Sequence, residues 1–87
     1  ADAATLLARL PGWQRVGDRI EKTFRFADYA ATIAFVNAVA AIAEREGHHP
    51  DLGVHHRHCV VAWTTHDAGG VTGNDLACAA QVERLLA

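Results

Sequence analysis

Five of the chain's six histidines lie in residues 44–58, the stretch EREGHHPDLGVHHRH, and the sixth, His66, follows in TTHDAGG. Histidine exchanges a proton near neutral pH and is also a common metal ligand. Three interpretations fit such a concentration of imidazoles: general acid–base catalysis, a zinc site, or a polar turn whose histidines only cap helix carbonyls. The spacing by itself leaves all three open.

The adjacent His48 and His49 stand where the longest predicted helix ends, directly before Pro50. The last carbonyls of a helix carry partial negative charge, which favours the imidazolium form of a histidine placed there. Proline stiffens the segment and removes one backbone donor. His66 ends a predicted strand, and we expect it near the helix exit if the strands return antiparallel. A fixed pair of histidines beside a third is suited to general acid–base work.

The zinc interpretation depends on His56 and His58, which share a face of a predicted strand, with His48 and His49 as further candidate ligands. Zinc sites usually combine histidines with a cysteine or a carboxylate at short spacing. Both cysteines of this chain stand at apolar positions instead. We therefore expect no metal, and we interpret the cysteines as reduced, buried thiols.

The elements that position these residues can be predicted from the period of the apolar residues. DAATLLARL indicates a short helix, capped by Asp2 and ended by Pro11 and Gly12. In WQRVGDRIEKTFRF, apolar residues alternate with polar ones, and Gly17 and Asp18 supply a turn, which predicts a β-hairpin. A helix and a hairpin therefore come first along the chain.

The rest of the chain, from Asp28 onwards, is predicted to form a helix, a hairpin and a last helix. Asp28 begins the longest helix, and Gly47 ends it because glycine accepts the left-handed conformation. HCVVAWTT indicates a strand that can pair with LGVHH before it. Thr72 and Asp75 form a capping-box pattern for the last helix, a role in which Asp75 need only accept the Thr72 amide. The order α-β-β-α-β-β-α predicts an α+β fold, a two-layer sandwich with an antiparallel four-stranded sheet and helices on one face.

The composition is that of a small globular protein: 87 residues, 51% hydrophobic and 21% charged, with a net charge of -2. We expect one domain over residues 1–87. No basic stripe is present, so direct binding of nucleic acid is not favoured. The longest apolar stretch, residues 38–43, is too short for a membrane span, and no signal peptide opens the chain. We therefore expect a cytoplasmic protein.

The strand HCVVAWTT is apolar on both faces. Cys59, Val61 and Trp63 share one face, and Val60 and Ala62 share the other. One of these faces lacks helical cover in a two-layer domain, and the helices offer flat, alanine-rich surfaces as well. These features predict a homo-oligomer, either a dimer or a tetramer.

Six residues of the histidine-rich half occur in a particular order and spacing: Glu44, His48, His49, Pro50, His66 and Asp75. The stretch TTHDAGGVTGND is also similar to a motif of the form STHxxGGLTxxD. Together these features, over about residues 7–86, resemble the pterin-4a-carbinolamine dehydratase family. Two aromatic residues of the family are replaced here, by Leu52 and His56. An aromatic at position 56 would wall the pterin site or brace the hairpin beneath it, so we expect poorer packing from His56.

The resemblance implies a lyase that dehydrates 4a-hydroxytetrahydropterin to quinonoid dihydropterin and water, without a metal or an organic cofactor. The substrate is the carbinolamine that an aromatic amino acid hydroxylase leaves when it uses tetrahydropterin and oxygen. The implied role is therefore tetrahydrobiopterin recycling, with a hydroxylase as pathway partner. Family members form dimers and tetramers, and the animal protein is also a dimerisation cofactor of a homeodomain transcription factor. A non-enzymatic protein-binding module on the same fold, or a histidine metal site, is the alternative.

The resemblance also implies residue roles. His48 and His66 are the general acid–base residues by this comparison. His49 holds and polarises the pterin, and Asp75 orients His66 or biases its charge. Beyond the three histidines, the implied substrate contacts are Glu44, Gly47, Pro50, Thr64, Thr65 and Asp67.

Overall fold

Four antiparallel strands and three α-helices make up residues 3–86, the part of the chain that the computed structural model describes. The elements are α1 (Ala3–Leu7), β1 (Gln14–Val16), β2 (Arg19–Arg25), α2 (Tyr29–Glu46), β3 (Asp51–Val54), β4 (His58–Trp63), a 3₁₀ helix (His66–Ala68) and α3 (Gly73–Arg84). The predicted order α-β-β-α-β-β-α and the α+β class are confirmed. None of these helices combines the length and the apolar character needed to cross a membrane.

The sheet has the strand order β1-β2-β4-β3, so β2 and β4 lie at its centre. Ile20 pairs with Trp63 and Phe24 with Cys59, and residues paired in this way share a face of the sheet. All four are buried on the face that α2 and α3 cover. The strand predicted in HCVVAWTT therefore turns the face of Cys59, Val61 and Trp63 towards the core. The same core also contains Trp13, Phe35, Val39, Ile42, Ala43, Val61, Leu76, Cys78, Ala79 and Val82.

Helix α2 begins and ends where the sequence predicts. Asp28 Oδ1 accepts the Ala31 N–H at 2.8 Å. At the other end Gly47 has φ 62°, a left-handed conformation that a side chain would disfavour. The His48 N–H then donates to the carbonyl of Ala43 at 3.1 Å. The residues after Gly47 therefore leave the helix in a defined direction.

Helix α3 is attached to the rest of the fold at both ends. At its start the predicted capping box is present, with the Thr72 N–H donating to Asp75 Oδ2 at 2.8 Å. Near its end Glu83 Oε1 accepts from Trp13 Nε1 at 2.7 Å and from Lys22 Nζ at 2.5 Å. These bonds join the C-terminal end of α3 to the first hairpin.

Helix α1 is shorter than predicted. It ends at Leu7, before the predicted stop at Pro11 and Gly12. Beyond it the chain continues in tighter turns, in which the Leu10 N–H donates to the Leu7 carbonyl at 3.0 Å. So short a helix is marginal by itself and depends on packing. Its predicted cap, Asp2, lies outside the described residues.

The strand predicted in LGVHH is β3, and it ends before the histidines. Residues 55–57 form the turn to β4, and the His55 N–H donates to the His58 carbonyl at 2.9 Å. His56 therefore lies in the turn and does not share a strand face with His58. The strand arrangement that the zinc interpretation required is wrong.

Cys59 and Cys78 are both free and both buried, as the sequence predicts. Burial raises the pKa of each thiol. The carboxylates of Glu46 and Asp75 raise the pKa of Cys78 further. A thiol held in its protonated form is a weak nucleophile and a weak metal ligand, so neither cysteine is a candidate for catalysis.

Candidate active site

The His48 imidazole is bonded to a buried carboxylate. Its Nε2 lies 2.5 Å from Asp75 Oδ1. The side chain of Asp75 is 0% exposed and that of His48 is 18% exposed, so the pair lies between the core and the solvent. A carboxylate that accepts the N–H of a histidine favours one tautomer and fixes the position of the bonded nitrogen. This bond does not involve the other ring nitrogen of His48, Nδ1.

The second oxygen of Asp75 is occupied as well. Oδ2 accepts the Thr72 N–H and the Thr65 hydroxyl, each at 2.8 Å. The hydroxyl oxygens of Thr65 and Thr72 lie 2.9 Å apart and bond each other. A buried carboxylate needs such donors to offset its loss of hydration. The capping box of α3 therefore also supports His48.

One face of the His48 ring packs against Trp63. The two ring centroids are 5.5 Å apart and the planes are inclined by 24°. Trp63 is 0% exposed and belongs to the core. His48 is thus held by a hydrogen bond at one ring edge and by an aromatic surface on one face.

His49 has a carboxylate partner of a different kind. Its Nε2 lies 2.6 Å from Oε2 of Glu44, in the last turn of α2. The two side chains are 65% and 77% exposed. Solvent screens such a pair, so it stabilises the fold little. In this arrangement the bond engages Nε2 of His49 and leaves its Nδ1 without a part in the pair.

A cavity of about 270 Å³ lies beside these groups. Its lining residues are Gly47, His48, His49, Thr64, Thr65, His66 and Asp67. His66 is held there by its turn: the Gly69 N–H donates to the His66 carbonyl at 3.0 Å, and Thr65 and Gly70 bond each other through their backbones. The prediction that His66 lies close to the end of the long helix is confirmed.

The family profile described as Pterin 4 alpha carbinolamine dehydratase matches residues 1–85. The chain belongs to this family. A protein of Xanthomonas campestris pv. campestris (strain 8004) is 56% identical over 87 residues, which cover 98% of this chain and 74% of the relative. A protein of Chromobacterium violaceum is 56% identical over 80 residues, 92% of this chain and 74% of the relative. Both are provisionally named pterin-4-alpha-carbinolamine dehydratase.

Two solved structures share the fold of this member of the dehydratase family. One is a transcriptional coactivator/pterin dehydratase from Brucella melitensis, with a TM-score of 0.90 and 30% identity, covering 94% of this chain and 89% of the other. The second is a pterin dehydratase-like protein identified as a RuBisCO assembly factor in the alpha-carboxysome. Its TM-score is 0.69 at 28% identity, and 84% of each chain is covered. The fold is therefore shared by a pterin dehydratase and by a protein with an assembly role.

In this dehydratase-family site, Asp75 has a different partner from the predicted one. The resemblance implied that Asp75 orients His66, whereas its carboxylate bonds His48. The reason is the position of Asp75 in the first turn of α3, buried beside the end of α2, while the His66 side chain is exposed on the 3₁₀ helix. The expectation that Asp75 orients His66 is wrong.

The implied substrate contacts are only partly brought together. Glu44 and Pro50 are not among the residues that line the cavity, and Glu44 reaches the site only through its bond to His49. Thr65 lines the cavity, but its hydroxyl is engaged by Asp75 and Thr72. The capping box offered a sequence signal for the bond to His48 instead, because the helix end uses only Oδ2 of Asp75 and leaves Oδ1 for another donor.

The remaining histidines lie outside the lining of the cavity. The rings of His55 and His58 stack at 4.2 Å with planes 9° apart, and the ring of His56 lies 6.1 Å from that of Tyr29. Partial burial lowers the pKa of His58, and the nearby His55 and Arg25 lower it further. Within residues 3–86, no three His, Cys, Asp or Glu side chains are grouped so that they could hold a metal ion. The zinc interpretation therefore gains no support from the geometry.

Two other cavities are larger but almost entirely apolar. One, of about 410 Å³, lies between α1 and α3 and is lined by Leu6, Arg9, Leu10, Gly73, Leu76, Ala77 and Ala80. The other, of about 350 Å³, is lined by Phe26, Ala31, Ala34, Phe35, Ala38, Leu85 and Leu86. Neither lining contains a histidine or a carboxylate. The acid–base groups therefore locate the candidate site in the smaller cavity.

Proposed function

We propose that this protein is a lyase that dehydrates 4a-hydroxytetrahydropterin, the pterin-4a-carbinolamine, to quinonoid dihydropterin and water. The observation that carries the proposal is the bond between His48 and buried Asp75, beside a cavity that His49 and His66 also line. Membership of the family and the names of its relatives support the substrate class. The role would be the recycling of tetrahydrobiopterin after an aromatic amino acid hydroxylase has used it.

The reaction requires two proton transfers. The bond between C4a and the hydroxyl oxygen breaks, and the hydroxyl takes up a proton and leaves as water. N5 loses its hydrogen as a proton while the double bond between C4a and N5 forms. No oxidant or reductant is consumed, and imidazoles can supply both transfers near neutral pH, each contributing roughly 10²–10⁴-fold. The chemistry therefore needs one acid and one base at different positions around C4a.

His48 is suited to the base role. Since Asp75 accepts the proton on Nε2, the neutral ring presents Nδ1 as an acceptor. When Nδ1 takes the proton from N5, the carboxylate stabilises the imidazolium that forms. His66, on the 3₁₀ helix that lines the same cavity, then protonates the leaving hydroxyl.

His49 is suited to binding rather than to proton transfer. Glu44 occupies its Nε2, which leaves Nδ1 for a polar atom of the pterin. The backbone around Gly47, Thr64 and Asp67 lines the same cavity and would contact the edge of the bicyclic ring. None of these interactions calls for a metal or an organic cofactor.

An assay with synthetic 4a-hydroxytetrahydropterin tests the proposal. We expect the protein to accelerate the appearance of quinonoid dihydropterin, and prior treatment with a chelator to leave the rate unchanged. Free imidazole at the same total histidine concentration is the control for unspecific acid–base catalysis. A rate no higher than that of free imidazole would contradict the proposal. Stoichiometric zinc whose removal abolishes activity would replace the acid–base account by a metal-based one.

A second candidate function is that of a protein-binding module. It is favoured by the pterin dehydratase-like relative identified as a RuBisCO assembly factor, which shares the fold at 28% identity. A module of this kind does not need His48, His49 and His66 in one cavity, so their presence favours the enzyme. The same assay separates the two functions, because a binding module would leave the carbinolamine to dehydrate at the background rate.

We also propose that the protein is a cytoplasmic homo-oligomer with one domain over residues 1–87. Val60, on the sheet face opposite the core, is partly exposed although its neighbour Ala62 is buried, and Leu85 and Leu86 are 40% and 54% exposed. The free cysteines fit a reducing compartment. Light scattering at micromolar concentration should give a dimer or a tetramer. A monomer of 9.3 kDa would contradict the oligomer.

A further inference from the structure

The two tryptophans of the chain are held in different ways. Trp13 donates its indole N–H to Glu83 at 2.7 Å. Trp63 is completely buried, and its Nε1 has no hydrogen-bond partner among the described residues. A buried donor without a partner destabilises a fold. The indole N–H of Trp63 therefore adds nothing to the stability of the fold. What this residue contributes to its surroundings is the flat surface of its ring.

That surface lies against the His48 imidazole, with ring centroids 5.5 Å apart and planes 24° apart. The hydrogen bond from Nε2 to Asp75 fixes one point of the imidazole but allows the ring to rotate about that bond. Contact with a flat, immobile surface removes this rotation. The bond and the stack together fix both the plane of the ring and the direction in which Nδ1 points.

Trp63 is well placed to be such a surface. It is the last residue of β4, a central strand, and it pairs with the buried Ile20 of β2. His48 by contrast follows the end of α2 and has left regular secondary structure. The ring that would take part in the chemistry is thus supported by the most rigid part of the fold.

We infer that Trp63 is a positioning residue, which fixes the plane of the His48 imidazole and thereby aims its Nδ1 into the cavity. The inference rests on the proposed function as far as catalysis is concerned. Its structural part, the dependence of the His48 ring on the Trp63 surface, can be measured without substrate.

The test compares Trp63→Phe with Trp63→Leu. Phenylalanine keeps a flat ring, whereas leucine keeps the apolar volume without a flat surface. We expect Trp63→Phe to retain kcat within about threefold, and Trp63→Leu to lower kcat by about tenfold or more with KM within about twofold, since small misplacements of a catalytic group are costly. Trp13→Phe is the matched control, which should lower Tm through loss of its bond to Glu83 and leave kcat unchanged.

The second readout is the ¹⁵N NMR signature of His48 in ¹⁵N-histidine-labelled protein. We expect one tautomer with a slowly exchanging Nε2 proton in the wild type and in Trp63→Phe. In Trp63→Leu we expect averaged nitrogen shifts and a rapidly exchanging proton. If Trp63→Leu does not fold, Trp63→Met, which also lacks a flat surface, takes its place with the same expectation.

A leucine or methionine variant that keeps both the wild-type kcat and the single tautomer, while only Tm falls, would overturn the inference and leave Trp63 a core residue. If the wild type does not dehydrate the carbinolamine, the proposed function fails. The NMR comparison still decides the positioning role of Trp63 in that case. Averaged ¹⁵N shifts of His48 in the leucine or methionine variant alone support this role, and an unchanged His48 tautomer overturns it.

Discussion

The histidines of this chain form two groups that are close in sequence and different in their surroundings. The pocket histidines are His48, His49 and His66, and the hairpin histidines are His55, His56 and His58. The first group lines one cavity, and the second lies in and beside the turn between β3 and β4. Two of the pocket histidines bond a carboxylate, whereas within residues 3–86 none of the hairpin histidines does.

The difference shows that the groups around an imidazole decide whether it can exchange a proton in a fixed geometry. His48 has a buried acceptor on one nitrogen, so it can exchange a proton on the other in a fixed geometry. Partial burial lowers the pKa of His58, and a second imidazole and the Arg25 guanidinium lower it further. A buried carboxylate partner thus distinguishes His48 from the hairpin histidines.

The strongest test of the difference between the two groups removes one imidazole at a time from each of them. We expect His48→Ala or His66→Ala to lower kcat by about 10²-fold or more, because each removes a proton-transfer group. His55→Ala is the matched control and should leave kcat nearly unchanged. Steady-state kinetics with synthetic carbinolamine measures all three variants. Wild-type turnover in both pocket variants would show that the pocket histidines are not catalytic.

A smaller effect should follow from Asp75→Asn, which keeps the size of the side chain. One of its two oxygens becomes an NH₂ group, so a donor then faces either the His48 ring or the α3 N-terminus. We expect kcat to fall by about tenfold and the free energy of unfolding to fall by about 1–3 kcal/mol. Steady-state kinetics measures the change in kcat, and thermal unfolding measures the change in stability. Asp51→Asn, at an exposed position, is the control. If only stability fell, Asp75 would be a helix cap and nothing more.

The hairpin histidines should affect the pH dependence of stability rather than catalysis. The pKa of His58 in the folded protein lies below the ordinary value of 6.5, so the unfolded chain binds this proton more readily. The stability that neutral His58 contributes to the folded protein is therefore present above pH 6.5 and is lost as the pH falls below this value.

We accordingly expect His58→Gln to make the fall in Tm between about pH 7.5 and about pH 5.5 smaller. Arg25→Gln should act in the same direction and more weakly, because Arg25 is the smallest of the three causes. Thermal unfolding across this range measures both. An unchanged pH dependence in His58→Gln would contradict the assignment, and a loss of kcat at pH 7 would remove the distinction between the two groups.

The smallest effect is expected from His56→Tyr. The His56 carbonyl accepts the Thr32 hydroxyl at 3.1 Å, and its ring lies 6.1 Å from that of Tyr29, outside the lining of the cavity. A larger aromatic here should brace the hairpin and raise Tm by up to a few degrees. We expect kcat and KM to stay within about twofold of the wild-type values. A several-fold fall in KM would instead mean that position 56 reaches the pterin.

The elements of the fold could be predicted because their signals are local. Asp28 and Gly47 mark the two ends of α2 by their own capping chemistry, and Thr72 and Asp75 mark the start of α3 in the same way. The alternation along HCVVAWTT divided β4 into its two faces, and the structure decided that the face of Cys59, Val61 and Trp63 is the one in the core. The end of α1 was predicted less well, because a helix of one or two turns depends on its packing more than on its own residues.

The sequence by itself also determined which residues are candidates for the chemistry, since the types and spacing of the histidines and of Asp75 carry the family resemblance. Only the tertiary structure decided which of them act together. Asp75 and His48 are 27 residues apart, and their bond depends on how α3 packs beside the end of α2. The stack of His48 on Trp63 likewise depends on where β4 ends beneath that helix. Such contacts arise from packing between elements, and the periodicity within one element contains no information about them.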